Sequence, residues 1–352
     1  MQRPPDMTSA EPSRRLGCGT FAALDLGTNN CRMLVGAPTG AGGGDGFRVL
    51  DSFSRIVRLG EGLHHSGALC PTAMDRAIDA LHACAARLSR RPVRRLRAVA
   101  TEACRRAANG AEFLDRVRRE TGIDIGVIST REEVELAVES CAPLLCQGGG
   151  RALLFDIGGG STELAWVRLG PGGAEVIGYK SIPVGVVTLA ERWGDAGFDP
   201  DGFAAMVDDV ADRLAPFEEV HRIRQEIRQG GVKLLGTSGT VTTLAGVALN
   251  LERYRRTDVD GVALAGAEAD AALIALSAMG REGLAAHPCV GPDRVDFVLP
   301  GCAVFAAIRQ MWPAPKVVVA DRGLREGMLM RLIRADRAGA RRGARPGFVP
   351  TA

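Results

Sequence analysis

Asp156 and Glu163 bracket the run Gly158-Gly159-Gly160-Ser161-Thr162, which follows the apolar stretch Leu153-Leu154-Phe155. Consecutive glycines allow backbone conformations closed to residues with a Cβ, so several N–H groups can converge on one anion. Two hydroxyls and two flanking carboxylates add what a divalent cation serving a phosphate needs. The competing reading is a glycine-rich hairpin between two buried strands. A second copy weighs against it. Phe21-Ala22-Ala23-Leu24 also ends in an acid, Asp25, and then passes through Gly27, Thr28 and Asn29 to Arg32. Each turn is followed by another apolar run, Met33 to Gly36 and Leu164 to Val167. Strand, acidic glycine turn and strand thus occur twice, about one domain length apart. A third small-residue loop, Gly236-Thr237-Ser238-Gly239-Thr240, leads into an apolar helix. It presents free N–H groups at a helix start, or is a simple capped turn.

The duplicated unit implies two related lobes holding a phosphate chain between their hairpin tips. That is the α/β, two-lobed, ribonuclease H-like arrangement of the actin, hexokinase and Hsp70 superfamily, with its active site in the cleft between lobes. More narrowly, the chain resembles the exopolyphosphatase and guanosine pentaphosphate phosphohydrolase family, Ppx/GppA. The motifs that carry the resemblance run from about residue 20 to 332. They are Asp25 to Asn29, Arg58-Leu-Gly-Glu61-Gly62, Ala100-Thr-Glu-Ala-Cys-Arg105-Arg-Ala, and Val127-Ile-Ser-Thr-Arg-Glu132-Glu133. Further on stand Asp156 to Glu163, Ser181-Ile-Pro-Val-Gly185, Gly236 to Thr240, and Asp321-Arg-Gly-Leu-Arg-Glu-Gly327.

The resemblance implies roles. Glu133 stands where the family's water-activating glutamate stands, and a placed carboxylate can orient and deprotonate a water attacking phosphorus. An acid in a first helical turn also reads as a capping residue. After the glutamate pair the family's small residue and arginine are replaced by Val134 and Glu135. Arg105 matches a clamp for transition-state charge or substrate phosphate, since a guanidinium grips two phosphoryl oxygens at once; an ordinary surface arginine is the alternative. Asp156 and Glu163, with Asp25 nearby, are expected to hold Mg²⁺, for which Mn²⁺ would substitute. Gly27, Thr28, Asn29, Arg32, Gly158, Gly159, Gly160, Ser161 and Thr162 are expected to line the phosphate site. Gly236, Ser238, Gly239 and Thr240 extend it.

The elements that must position these groups are legible in outline. Helical periodicity marks Thr72 to Ser89 behind Pro71, Gly110 to Thr121, Arg131 to Leu145 and Val241 to Leu249. Arg97 to Thr101 and Ile125 to Ser129 read as strands. Strands and helices alternate in both halves, as in an α/β protein. The expected organisation is a disordered extension over 1–19, lobes over 20–148 and 149–334, and a disordered basic tail over 335–352. Thr39 to Gly46 and Gly170 to Gly173 read as hairpin connections, and Gln147 to Gly150 as the lobe boundary.

Composition narrows the class further. A chain of 352 residues predicts about two domains. With 46% hydrophobic and 24% charged residues it reads as an ordinary globular protein, and a net charge of +3 nominates neither nucleic acid nor a membrane as partner. The nine cysteines form no CxxC pair, which points to reduced structural thiols and a cytoplasmic protein. The five histidines show no metal-ligand spacing, and the absence of an adjacent His-Asp pair implies a short family member without the C-terminal helical domain. The function implied is Mg²⁺-dependent release of orthophosphate from inorganic polyphosphate, with guanosine pentaphosphate (pppGpp) as the alternative substrate. A homodimer is the candidate assembly. An ATP-dependent sugar or acetate kinase and a non-catalytic sensor of polyphosphate or alarmone are the remaining readings.

Overall fold

The computed structural model describes residues 19–39, 46–145 and 150–343. The N-terminal sheet contains β1 (Thr20–Leu26), β2 (Asn30–Pro38), β3 (Phe47–Ile56), β4 (Val93–Ala100) and β5 (Gly126–Val127) in the order β3-β2-β1-β4-β5. The second sheet contains β6 (Gly150–Ile157), β7 (Thr162–Gly170), β8 (Gly173–Ile182), β9 (Val232–Thr237), β10 (Ala263–Ala265) and β11 (Lys316–Ala320), ordered β10-β11-β9-β6-β7-β8. In each sheet three antiparallel strands are followed by parallel ones, β4 beside β1 and β9 beside β6. The duplication read from the two acidic glycine turns is therefore a duplication of topology, and the fold is two-lobed and ribonuclease H-like.

Strand alternation explains how both faces of each sheet are covered. In β1, Ala22, Leu24 and Leu26 pack with Ala77, Leu81 and Cys84 of the helix Pro71–Ser89, while Phe21 and Ala23 face Met328, Leu329 and Ile333 on the other side. In β6, Leu153 and Phe155 join the large second-lobe core with Val304, Phe305 and Trp312, while Ala152 and Leu154 meet Val134, Val138 and Cys141.

Those opposite faces reveal a departure from contiguous lobes. The helix Thr130–Leu145 belongs by sequence to the first lobe yet packs on the second sheet, and the helix Leu324–Gly343 returns from the second lobe to cover the first sheet. The two helices cross where a Cβ on Gly327 would strike the Leu136 carbonyl, so glycine is required there for backbone contact. Burial of an apolar face, not chain order, decides which sheet a helix joins.

The C-terminal helix also runs nine residues past position 334, so 335–343 is helical where a disordered tail was expected; Asp336 accepts from Arg94 at 2.8 Å. The strand expected over 125–129 is reduced to the two residues of β5. The hairpin β2–β3 closes through Thr39 N–H donating to the Gly46 carbonyl, and its tip at 40–45 lies outside the described residues, as do 1–18, most of the expected lobe boundary and 344–352. Among the described residues the seven cysteines are all free thiols, and no helix is long and apolar enough to cross a membrane.

Candidate active site

The two glycine turns meet at the base of a cleft of about 940 Å³ between the lobes. In the first hairpin Asp25 pairs directly across the strands with Arg32, and in the second Asp156 pairs with Glu163, each partner seven residues on. The same register therefore carries a guanidinium in one lobe and a carboxylate in the other. All four side chains line the cleft.

The glycines are needed for a different reason from that expected. None of Gly158, Gly159 or Gly160 has a positive φ. A Cβ on Gly159 would lie 3.0 Å from Asn29 Cβ, and one on Gly160 would lie 2.7 Å from Thr28 Oγ1, so the two turns are pressed together across the lobe junction. Gly185 of the Ser181 to Gly185 motif lies against the same turn, 2.5 Å from a Cβ built there to the carbonyls of Gly158 and Gly159. Close approach, with no room for a methyl, accounts for several family motifs at once.

The turn amides divide into two sets. Gly27 N–H donates to Asn30 O at 2.9 Å and Gly158 N–H to Ser161 O at 2.9 Å, so these two serve their own hairpins and not an anion. The amides of Thr28, Asn29, Gly159, Gly160 and Ser161 have no acceptor among the described residues. Arg32 lies beside them. It forms no hydrogen bond or ion pair with a described residue, although the charges of Asp25, Asp156 and Asp321 surround it; burial, and then Arg325, push its pKa below the ordinary arginine value. A desolvated, unpaired guanidinium next to free amides is a ready anion site.

The carboxylates are held in a strained protonation balance. Burial raises Asp156 from 3.8 to about 6, with Arg32 opposing and Asp25 adding to the rise. Glu163, only 4% exposed, is raised to about 7 by burial, while hydrogen bonds from Ser161 Oγ at 2.6 Å and Ser181 Oγ at 2.8 Å to its Oε1 oppose the rise. Burial also raises Asp25, whose Oδ1 is buried with no hydrogen-bond partner. Among the described residues no three His, Cys, Asp or Glu side chains converge as a preformed metal cage. The donor set still fits Mg²⁺, which takes one or two carboxylates and fills its other positions with water and substrate phosphate. The orphaned Asp25 oxygen is the observation that speaks for a cation there.

Glu133 lines the same cleft. Ser129 caps its helix, accepting the Glu132 N–H on Oγ at 3.2 Å, so Glu133 is not the cap. Its carboxylate instead lines the cleft and accepts from Arg105 Nη1 at 3.2 Å. Its pKa is raised well above the ordinary value by burial and by Glu163, against the pull of Arg105. Val134 points into the second-lobe core and Glu135 pairs with Arg131 and Arg331, so neither enters the cleft.

Three expected site residues stand elsewhere. Thr162 is fully buried and donates to Val184 O at 2.8 Å, tying its strand to the loop after β8. Gly236 packs against the Phe155 ring, which leaves no space for a side chain. Arg105 is not among the lining residues; its guanidinium is engaged by Glu102, Glu133 and the Ile128 carbonyl.

The third loop does line the cleft through Ser238, Gly239 and Thr240. Ser238 holds φ 125°, a region disfavoured for side-chain residues, and caps the next helix through Thr240 N–H at 3.2 Å. Such strain persists only where neighbours enforce it; Arg294 does so by donating to Gly239 O at 2.8 Å and Thr243 Oγ1 at 2.9 Å. Arg294, Arg325, Arg256 and Glu102 are cleft residues to which the sequence reading assigned no role. Glu102 and Arg325 lay within quoted motifs; Arg294 and Arg256 had no local signal, because distant segments bring them in.

A model of the Ppx/GppA phosphatase family matches residues 39–335. The structure aligns with the Aquifex aeolicus Ppx/GppA family member at a TM-score of 0.70 and 26% identity, over 90% of this chain and 98% of that one. An exopolyphosphatase-like protein aligns at a TM-score of 0.79 and 27% identity, over 91% and 99%. An exopolyphosphatase from Cytophaga hutchinsonii, at 24% identity and a TM-score of 0.78 over 90% and 98%, shares the fold.

Proposed function

The chain belongs to the Ppx/GppA phosphatase family, and from that membership we propose that it is an exopolyphosphatase, hydrolysing the terminal phosphoanhydride of inorganic polyphosphate to release orthophosphate. The observation that carries the reading is Arg32, unpaired beside the free amides of both turns, with Glu133 lining the same cleft. The terminal phosphate would be received by Arg32 and those amides. Glu133 orients the attacking water and takes its proton, for which a raised basicity is suited. Mg²⁺, or Mn²⁺ in its place, would be held by Asp25, Asp156 and Glu163 and would supply neutralisation of phosphoryl charge.

Support for a polymeric substrate comes from the length of the cleft. Its lining reaches Ser52, Ser54 and Ile56 of β3, and a neighbouring hollow that shares Ser54 and Ile56 is lined also by Arg55, Arg58 and Asp293. A linear polyanion can follow that course. A second reading, guanosine pentaphosphate hydrolysis, is favoured by the apolar wall of Pro288, Val290, Phe297 and Val298 beyond the third loop, which suits a nucleoside.

The deciding experiment measures orthophosphate released from polyphosphates of defined length, guanosine pentaphosphate and ATP, with and without Mg²⁺, for the wild type and Glu133→Gln. Polyphosphate turnover lost by at least ~100-fold in the variant, with binding retained, is expected for removal of a general base. Dominant ATP turnover, or a near-normal rate for the variant, would overturn the reading.

A further inference from the structure

We propose that Glu102 is a positioning residue for the reaction, acting through Arg105 to hold the water-activating Glu133 in place. Glu102 opens a short helical turn, Glu102–Arg106, at the cleft end of β4. Spacing of three residues puts its side chain on the same face as Arg105. Arg105 Nη2 donates to Glu102 Oε2 at 2.7 Å, while Nη1 donates to Glu133 Oε2 at 3.2 Å and to the Ile128 carbonyl at 2.9 Å. The planar guanidinium is thus fixed by three acceptors on three segments of chain, and a rigid fork transmits the position of one partner to the other.

The guanidinium bridges the two carboxylates. Glu102 and Glu133 both line the cleft and Arg105 does not. The three side chains are 12%, 15% and 22% exposed, so solvent does little to replace a lost contact. Arg106 Nη1, 3.7 Å from Glu102 Oε1, steadies the second oxygen. With an amide in place of the Glu102 carboxylate, Arg105 Nη2 keeps only a neutral acceptor and has no other among the described residues, which loosens the guanidinium about its remaining bonds. Glu133 would then sample positions away from the in-line approach to phosphorus, and misplacement of a reacting group costs rate more than binding.

This inference rests on Glu133 as the water-activating group, and the test separates the two. Orthophosphate release from polyphosphate is measured for Glu102→Gln, Arg105→Lys, the double variant and Glu133→Gln, with thermal midpoints alongside. Glu102→Gln is expected to lower kcat by about tenfold with KM within about twofold, the signature of an interaction used in the transition state. The double variant is expected to be no slower than Arg105→Lys alone, because Glu102 has nothing left to act through. Multiplying losses in the double variant, or a raised KM at unchanged kcat, would overturn the proposal while Glu133→Gln remains inactive. Near-normal activity of Glu133→Gln would remove the premise instead. Should Glu102→Gln fail to fold, Glu102→Asp, which keeps the charge and shortens the reach, carries the same comparison.

Discussion

Replacing Asp156 by asparagine is expected to stabilise the ligand-free protein at alkaline pH. Burial raises the Asp156 carboxyl from 3.8 to about 6, so over that interval the folded chain holds a proton that the unfolded chain has already released. The stability linked to that proton is complete below pH 3.8 and is lost as pH rises through about 6. The difference of about 2.2 between the two values corresponds to about 3 kcal/mol across the whole interval. Between pH 5 and pH 8 the remaining part is about 1.4 kcal/mol. Asparagine does not titrate, so the variant lacks this slope. Thermal unfolding in chelator at pH 5 and pH 8 should show the variant gaining on the wild type by about 2 °C at the higher pH. Added Mg²⁺ should then narrow the gap at pH 8 by stabilising the wild type. A gap that is the same at both pH values would show that Asp156 carries no buried charge and that the cleft is more solvated than its geometry implies.

Gly160→Ala brings a Cβ to 2.7 Å from Thr28 Oγ1, and the forced separation of the two turns should cost about 1–3 kcal/mol and most of the activity, read by denaturant unfolding and phosphate release. Normal stability would mean that the lobes are not pressed together there. Arg32→Gln should raise KM for polyphosphate more than it lowers stability, since the guanidinium has no hydrogen-bonded partner to lose; an unchanged KM would place the terminal phosphate elsewhere. Binding to the Glu133→Gln variant across a salt series should weaken more steeply for long than for short polyphosphates, as additional phosphates engage the cleft. Equal slopes would favour the guanosine pentaphosphate reading.

Legible in the chain alone are the pair of hairpins and their chemistry. Strand alternation and turn composition are local, so Asp25, Asp156, Glu163 and the glycines between them could be read as two copies of one unit, and ordered motifs led to the family. The helix start at Ser129 to Glu133 was equally local, yet whether Glu133 capped it or faced the cleft was open until Ser129 was seen to take the capping bond. The tertiary structure alone decided which side chains meet. The exchange of the helices Thr130–Leu145 and Leu324–Gly343 between sheets depends on which apolar faces remain uncovered once both sheets exist. The need for glycine at 159 and 160 arises from Thr28 and Asn29, more than a hundred residues away in the chain. Engagement of Arg105 by Glu133, and arrival of Arg294 beside Gly239, follow from contacts between distant segments. A residue's type is written in the chain, but its desolvation, its partners and its charge state are set by neighbours that only folding brings together.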